Sequence, residues 1–149
     1  MGNYKNTKPN VSLVNEVAIR YKVDETNTFT MINSAQVGIE VSAFQDLLEV
    51  TGLSRDELAG LLGVSYKTIQ RYQKEEKKMN AQNSEQLLKM IVLYQKAEEV
   101  FGDIDSFDRW LRKPAAGLGN QVPLSFMQTS GGIDLIHDEL QRIEHGALA

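Results

Sequence analysis

Apolar residues recur along most of this chain at helical rather than strand spacing, and the clearest run is the last. Ile133, Ile136, Leu140 and Ile143 are separated by three, four and three residues, one continuous stripe of an amphipathic helix that Gly146 is expected to end. Upstream, a helical segment carrying Phe107, Trp110 and Leu111 must stop before Pro114, whose ring denies a helix its N–H and its backbone geometry. Trp110 is expected to be buried. Pro123 stands where proline is welcome, at the first turn of a short helix through Leu124, Phe126 and Met127, and a turn is expected at Thr129-Ser130-Gly131-Gly132. Met90-Ile91-Val92-Leu93-Tyr94 is apolar on every face, so this helix, capped by Asn83 or Ser84 and running to Phe101, reads as a central strut. Gly102 ends it, and Asp103 or Asp105 caps the next.

The first third is less regular. Met1 to Asn10 is polar and predicted to be disordered. Val11 to Val23 leans towards helix through Leu13, Val14, Val17, Ala18 and Tyr21. Asp24 to Thr28 is a polar connection, followed by a short segment around Phe29, Met31 and Ile32, then Val37-Gly38-Ile39. A helix through Phe44, Leu47, Leu48 and Val50 is expected to end at Gly52.

Residues 53–72 carry the signals of a helix-turn-helix. Ser54 and Glu57 make a capping box that starts a helix at Arg55, with Leu58, Leu61 and Leu62 on its inner face. Ala59 suits a close helix crossing, Gly63 the positive φ of a tight turn, and Ser65 caps a second helix anchored by Ile69. At 100° per residue, Lys67, Arg71, Lys74 and Lys78 fall opposite Ile69, flanked by Gln70 and Thr68. On this reading Ser65, Tyr66, Lys67, Thr68, Gln70, Arg71, Lys74 and Lys78 form the DNA-binding set. Lys and Arg neutralise phosphates, and Gln70 and Arg71 reach base edges. A plain solvated face is the competing reading, and Glu75 and Glu76 favour it. The fold class is therefore all-α: a poorly defined or flexible segment over 1–28, a helix-turn-helix domain over 29–82 and a small helical unit over 83–149, joined through the central helix.

Composition narrows the function. The 149 residues include no cysteine, which leaves no disulfide framework or thiolate metal site and suits a reducing cytoplasm. No apolar run approaches a membrane span, and the first ten residues lack the core of a signal peptide. Net charge is −4; residues 1–80 balance ten Lys/Arg with ten Asp/Glu, so the deficit lies in the second half and only a local basic face supports nucleic-acid binding. His137 and His145 stand two helical turns apart, too far for a helical metal pair, and Ser125 or Ser130 beside His137 and Asp138 is composition rather than a triad. No phosphate-binding or nucleophile-elbow motif occurs, and no cofactor or catalytic residue is assigned.

The C-terminal pattern W-L-x-x-P, L-G-x-x-x-P-L, T-x-x-G and L-x-x-I-E-x-G resembles the toxin-binding domain of the Xre/MbcA/ParS antitoxins. Trp110, Leu111, Pro114, Leu118, Gly119, Pro123, Leu124, Thr129, Gly132, Leu140, Ile143, Glu144 and Gly146 carry the match. Ala115, Asn120 and Val122 depart from it; Asn120 tolerates a left-handed backbone, whereas Val122 forfeits a side-chain cap before Pro123.

The resemblance implies a toxin-binding domain over 83–149 and a type II antitoxin without enzymatic activity, cytoplasmic, with a cognate RES-type, NAD-targeting toxin as partner. It further implies a homodimer that represses its own operon by binding operator DNA, the apolar excess of the central helix offering the interface. Leu118, Gly119, Asp138, Gln141, Arg142, Glu144, His145, Gly146 and Leu148 are the expected toxin-binding residues. The final helix and its tail would lie across the toxin's active site, with Asp134, Asp138, Glu144 and the terminal carboxylate as an acidic face suited to a phosphate-binding pocket. Two other classes compete: a helix-turn-helix regulator whose C-terminal half senses a ligand, which requires a pocket there, and a small enzyme, against which the missing catalytic constellation argues.

Overall fold

The computed structural model describes residues 12–146. Eight α-helices follow one another: α1 (Leu13–Arg20), α2 (Thr28–Val37), α3 (Ser42–Val50), α4 (Arg55–Leu61), α5 (Tyr66–Lys74), α6 (Ala81–Phe101), α7 (Ile104–Leu111) and α8 (Ser130–Gly146). Between α7 and α8 lie a 3₁₀ turn, Ala116–Leu118, and a 3₁₀ helix, Pro123–Gln128. Among the described residues the extended pairings are two isolated bridges, Glu40 with Lys78 and Ala115 with Gln121. The expected all-α architecture is the observed one.

Helix α6 is the strut on which the others are mounted. Leu87, Leu88, Met90, Ile91, Leu93, Tyr94 and Ala97 are almost completely buried, and α1, α2, α3, α7 and α8 all pack against it. It starts earlier than the sequence suggests. Asn80 is the cap, its side chain accepting from Asn83 N–H, and Asn83 and Ser84 lie inside the helix as buried polar residues. Their hydrogen bonds explain why burial is tolerated. Asn83 Nδ2 donates to Leu62 O at 2.9 Å and Gln86 Nε2 to Leu61 O at 3.0 Å, so α6 satisfies carbonyls left open at the end of α4. Gln86 also reaches Gln128 O, at 2.9 Å, tying the helix-turn-helix to the 3₁₀ helix before α8.

Helix α4 is held at its other end as well. Arg112, just past α7, donates to both carboxylate oxygens of Glu57 at 2.7 and 3.0 Å, to Asp108 and to Gly52 O. The Arg112 guanidinium holds the Glu57 carboxyl down at about 2, against an ordinary 4.5, with the Ser54 N–H helping and partial burial opposing. A depressed carboxylate contributes stability that is whole above its unfolded-state pKa and is lost as pH falls towards the folded value. Because the pair is about one-third exposed, the contribution is about 1 kcal/mol after solvent screening. Urea titrations at pH 5 and pH 3 should show this loss in the native chain and a smaller pH dependence in Arg112→Gln; equal slopes would remove the clamp from the pH response.

Several expectations need correction. Residues 13–20, assigned to a poorly defined segment, form a docked helix: Ser12 caps it, Val14, Val17 and Ala18 are buried, and α1 packs on α6 and α3. The expectation for Met1 to Asn10 falls outside the described residues. Trp110 is only half-buried, and Phe107 takes the core position one turn earlier, with no exposed surface. Helix α3 ends at Val50 with Thr51 as its C-cap, so Gly52 lies beyond it. The turn expected at residues 129–132 is instead the start of α8: Thr129 Oγ1 accepts from Gly132 N–H at 3.0 Å, and the helix begins at Ser130.

Candidate functional site

The helix-turn-helix forms as its local signals dictate. Ser54 and Glu57 make both bonds of the capping box, Gly63 takes φ +75°, Ser65 Oγ accepts from Thr68 N–H, and Ile69 is fully buried. Helix α5 thereby exposes Lys67, Gln70, Arg71 and Lys74 and carries no acidic residue; Glu75 is its C-cap and Glu76 follows at φ +54°. That left-handed residue ends the stripe early. Lys78 leaves the helix and pairs with Glu40 through its backbone, so it does not share the face of Lys67 and Arg71. Ser65 serves as the cap and Thr68 is half-buried. Tyr66 packs 6.0 Å from Phe44, with the Arg55 guanidinium 4.7 Å over its ring. It fixes the start of α5 more than it extends the free surface.

In the C-terminal half, the stripe on α8 is seated as expected. Ile133, Ile136 and Leu140 are buried and Ile143 partly so. The loop before it uses Gly119 and Asn120 in the left-handed region, and Val122 indeed provides no side-chain cap for the 3₁₀ helix that Pro123 begins. A broad open groove of about 890 Å³ runs between Gly117 and the end of α8, lined by Asp138, Glu139, Gln141, Arg142, Ile143, His145 and Gly146. Five of the nine expected toxin-binding residues therefore share one surface: Asp138, Gln141, Arg142, His145 and Gly146. Gly119 is exposed on the neighbouring loop.

The remaining three fall elsewhere. Leu118 is buried and serves the core. Glu144 turns inward to Lys96 Nζ at 2.6 Å, and that ammonium holds its carboxyl below the usual range. Leu148 and the terminal carboxylate lie outside the described residues. Asp134 is likewise held, by Lys89 at 2.6 Å. The acidic face expected on α8 thus reduces to Asp138, with Glu139 buried beside Arg142, whose Nε is 2.8 Å away. Sequence reasoning missed the anchoring lysines because Lys89 and Lys96 lie some 45 residues upstream on α6.

Comparisons with known proteins bear on both surfaces. Residues 33–92 match the antitoxin Xre-like helix-turn-helix domain, and residues 96–146 match the antitoxin Xre/MbcA/ParS C-terminal toxin-binding domain. This chain belongs to the Xre/MbcA/ParS antitoxin family. An antitoxin Xre of Yersinia enterocolitica is 22% identical over 120 residues, covering 80% of this chain and 81% of that protein. One from Photorhabdus laumondii is 23% identical over 113 residues, 75% and 76% respectively. In fold, the antitoxin is similar to a chain of the crystal structure of the M. tuberculosis MbcT–MbcA toxin–antitoxin complex, with TM-score 0.58, 16% identity, and 73% of this chain and 96% of that one covered. The two matched regions meet within α6, between residues 92 and 96, so the antitoxin's two family domains share its central helix. No described helix is long and apolar enough to cross a membrane.

Proposed function

We propose that this antitoxin neutralises a cognate RES-type, NAD-targeting toxin through the groove between Gly117 and the end of α8, and represses its own operon as a homodimer through α5. The observation that carries this reading is the placement of two exposed surfaces on one braced frame. An acid-free basic helix follows the helix-turn-helix turn, and an open groove lies on the family's toxin-binding region. The MbcT–MbcA complex supports a toxin as the partner of this fold. On this reading the antitoxin is a binding protein, needs no cofactor and works in the cytoplasm, and its domains divide as 29–82 and 83–149.

For the toxin, the end of α8 and the residues after it lie across the active site. Asp138 contributes the acidic character and Gln141, Arg142 and His145 the polar contacts. Co-expression with the neighbouring open reading frame tests this by growth rescue. Gln141→Ala, at an exposed position, and a chain ending at Gly146 should each keep the native unfolding midpoint, since Glu144 and its lysine partner and the Arg142–Glu139 pair remain. Each should nevertheless weaken toxin binding by roughly tenfold or more, the scale of losing one well-placed contact. Full rescue by both would remove the α8 end from the inhibitory surface.

For DNA, Lys67 and Lys74 neutralise phosphates while Gln70 and Arg71 face the major groove. Arg71→Ala should weaken operator binding by roughly 1–3 kcal/mol if it reads a base, and Lys67→Ala should lower the salt slope by about one. A folded double variant that still binds the promoter region with native affinity would exclude α5 as the recognition helix.

A further inference from the structure

We propose that Glu139, packed against Gly117, is a positioning residue of the toxin-binding groove: it fixes the Arg142 guanidinium so that the outer edge of that group is presented to a carboxylate of the toxin. This rests on the toxin-binding reading of the groove and assigns to it two residues that the C-terminal motif does not single out. Glu139 is the one charged side chain among the buried polar residues described, at 8% exposure. A buried carboxylate is costly unless it is paired and hydrogen-bonded. Its partner is Arg142, three residues on, whose Nε donates to Glu139 Oε1 at 2.8 Å while the arginine side chain stays 57% exposed. Such a pair is weak evidence of a stabilising role, because desolvation offsets the attraction. Orientation is what it does achieve. With Nε committed, the planar fork is held in place, and Nη1 and Nη2 are left without a hydrogen-bond partner among the described residues.

Gly117 makes the room for this carboxylate. A Cβ at that position would fall 1.8 Å from Glu139 Oε2 and 2.4 Å from its Cδ, so the carboxylate fills the space that any other residue's side chain would take. The backbone does not demand this glycine, since the glycines with positive φ are Gly38, Gly63, Gly102 and Gly119. The notch is also rigid. Ala115 and Leu118 are buried on either side of it, and Ala115 N–H donates to Gln121 O while Asn120 N–H donates to Ala115 O, both at 2.9 Å. Across from it, buried Ile136 and Leu140 hold this part of α8 to the core. Loop and helix therefore meet at the Glu139 carboxylate, and their fixed spacing is passed on to a guanidinium that lines the groove. The open edge of a guanidinium matches a carboxylate through two parallel N–H···O bonds, which on a protein partner means an Asp or Glu side chain. Asp138 stands four residues before Arg142 and shares its face. The complementary toxin surface thus sets an acid against Arg142 and a hydrogen-bond donor against Asp138.

Calorimetric titration of the full chain with the product of the neighbouring open reading frame tests this. Gly117→Ala should turn the Glu139 carboxylate out to solvent, keep the native unfolding midpoint and weaken toxin binding by roughly tenfold, the scale of one misplaced contact. Glu139→Ala should lower affinity as far, and Glu139→Gln less, because the amide oxygen still accepts from Arg142 Nε. Arg142→Lys keeps the charge and loses the fork, so it should weaken binding to the same extent, and adding Gly117→Ala to it should cost nothing further. A merely structural role for Glu139 predicts instead that the two losses add. Native affinity in Gly117→Ala and Glu139→Ala, or additive losses in the double variant, overturns the proposal and leaves the groove as the toxin site. Nuclear magnetic resonance of the free chain gives a reading that needs no toxin: the Arg142 Nε–H should exchange slowly with solvent in the native protein and rapidly in Gly117→Ala, and rapid exchange in the native protein also overturns the proposal. If the native chain shows the protected N–H yet binds no such partner, the toxin reading fails and the positioning role falls with it.

Discussion

Phe107→Ala is expected to be among the most damaging single changes in this antitoxin, lowering stability by about 3–5 kcal/mol, and to exceed Trp110→Ala. The Phe107 ring has no exposed surface. It meets Tyr94 edge-on at 5.0 Å, lies 5.6 Å from Phe101 and stacks on Trp110 at 5.9 Å, so one side chain joins α6 to α7 through three aromatic partners. Removing it leaves a cavity beside Tyr94, whose hydroxyl is already buried without a hydrogen-bond partner and whose pKa burial pushes well up. Trp110 is half-buried on the outer side of that cluster, and its loss is partly refilled by solvent. The single tryptophan also supplies the readout. Urea denaturation followed by Trp110 fluorescence should show a lower midpoint for Phe107→Ala, with far-ultraviolet dichroism giving the same comparison for Trp110→Ala. A larger loss for Trp110→Ala would reverse the assignment of the core.

The contrast between these two aromatics shows which parts of the fold were legible. Signals acting within one turn of chain were: the Ser54–Glu57 capping box, the positive φ of Gly63, the Ser65 cap, the Gly102 stop and the Asp103 cap all appear where the residues demand them. The four-residue stripe of α8 was legible because burial on one face imposes a period. What depended on distant partners was not. Phe107 and Trp110 lie on the same face of α7, and the approach of Tyr94 decides which is covered. Asn83 and Ser84 resemble caps until Leu62 O, Met79 O and Ile39 N–H are brought to them. Glu144 reads as a free acid until Lys96 arrives from α6. At the candidate surfaces, the basic face of α5 was readable to Lys74 and lost at Glu76, where a left-handed non-glycine residue gives no warning in a pattern of charges. The exposed face of α2 escaped notice because Phe29, Met31 and Ile32 look like core residues, and only the packing shows that two of them point outward.

Gly132→Ala should be nearly as costly, about 3 kcal/mol, at the upper end of the overpacking range, whereas Gly131→Ala should stabilise by about 0.5–1 kcal/mol. The two glycines are consecutive in the first turn of α8, so propensity alone predicts the same gain for both. Their surroundings differ. A Cβ at Gly131 meets nothing within 4 Å, while one at Gly132 falls 1.8 Å from Phe126 O and 2.7 Å from its carbonyl carbon. Those atoms are backbone, so no rotamer change relieves the clash. Neither side is free to retreat. The 3₁₀ helix is pinned by buried Pro123 and Met127 and by the Gln86 bond to Gln128 O; α8 is pinned by Ile133, Ile136 and Leu140. An alanine must therefore prise the start of α8 away from the 3₁₀ helix and disturb the Thr129 cap that bonds Gly132 N–H. Paired denaturation curves of the two variants test the argument with composition held constant, and equal stabilities would refute it. Because the same seat aims the groove-lining end of α8, toxin rescue should fail in Gly132→Ala at temperatures where Gly131→Ala protects fully.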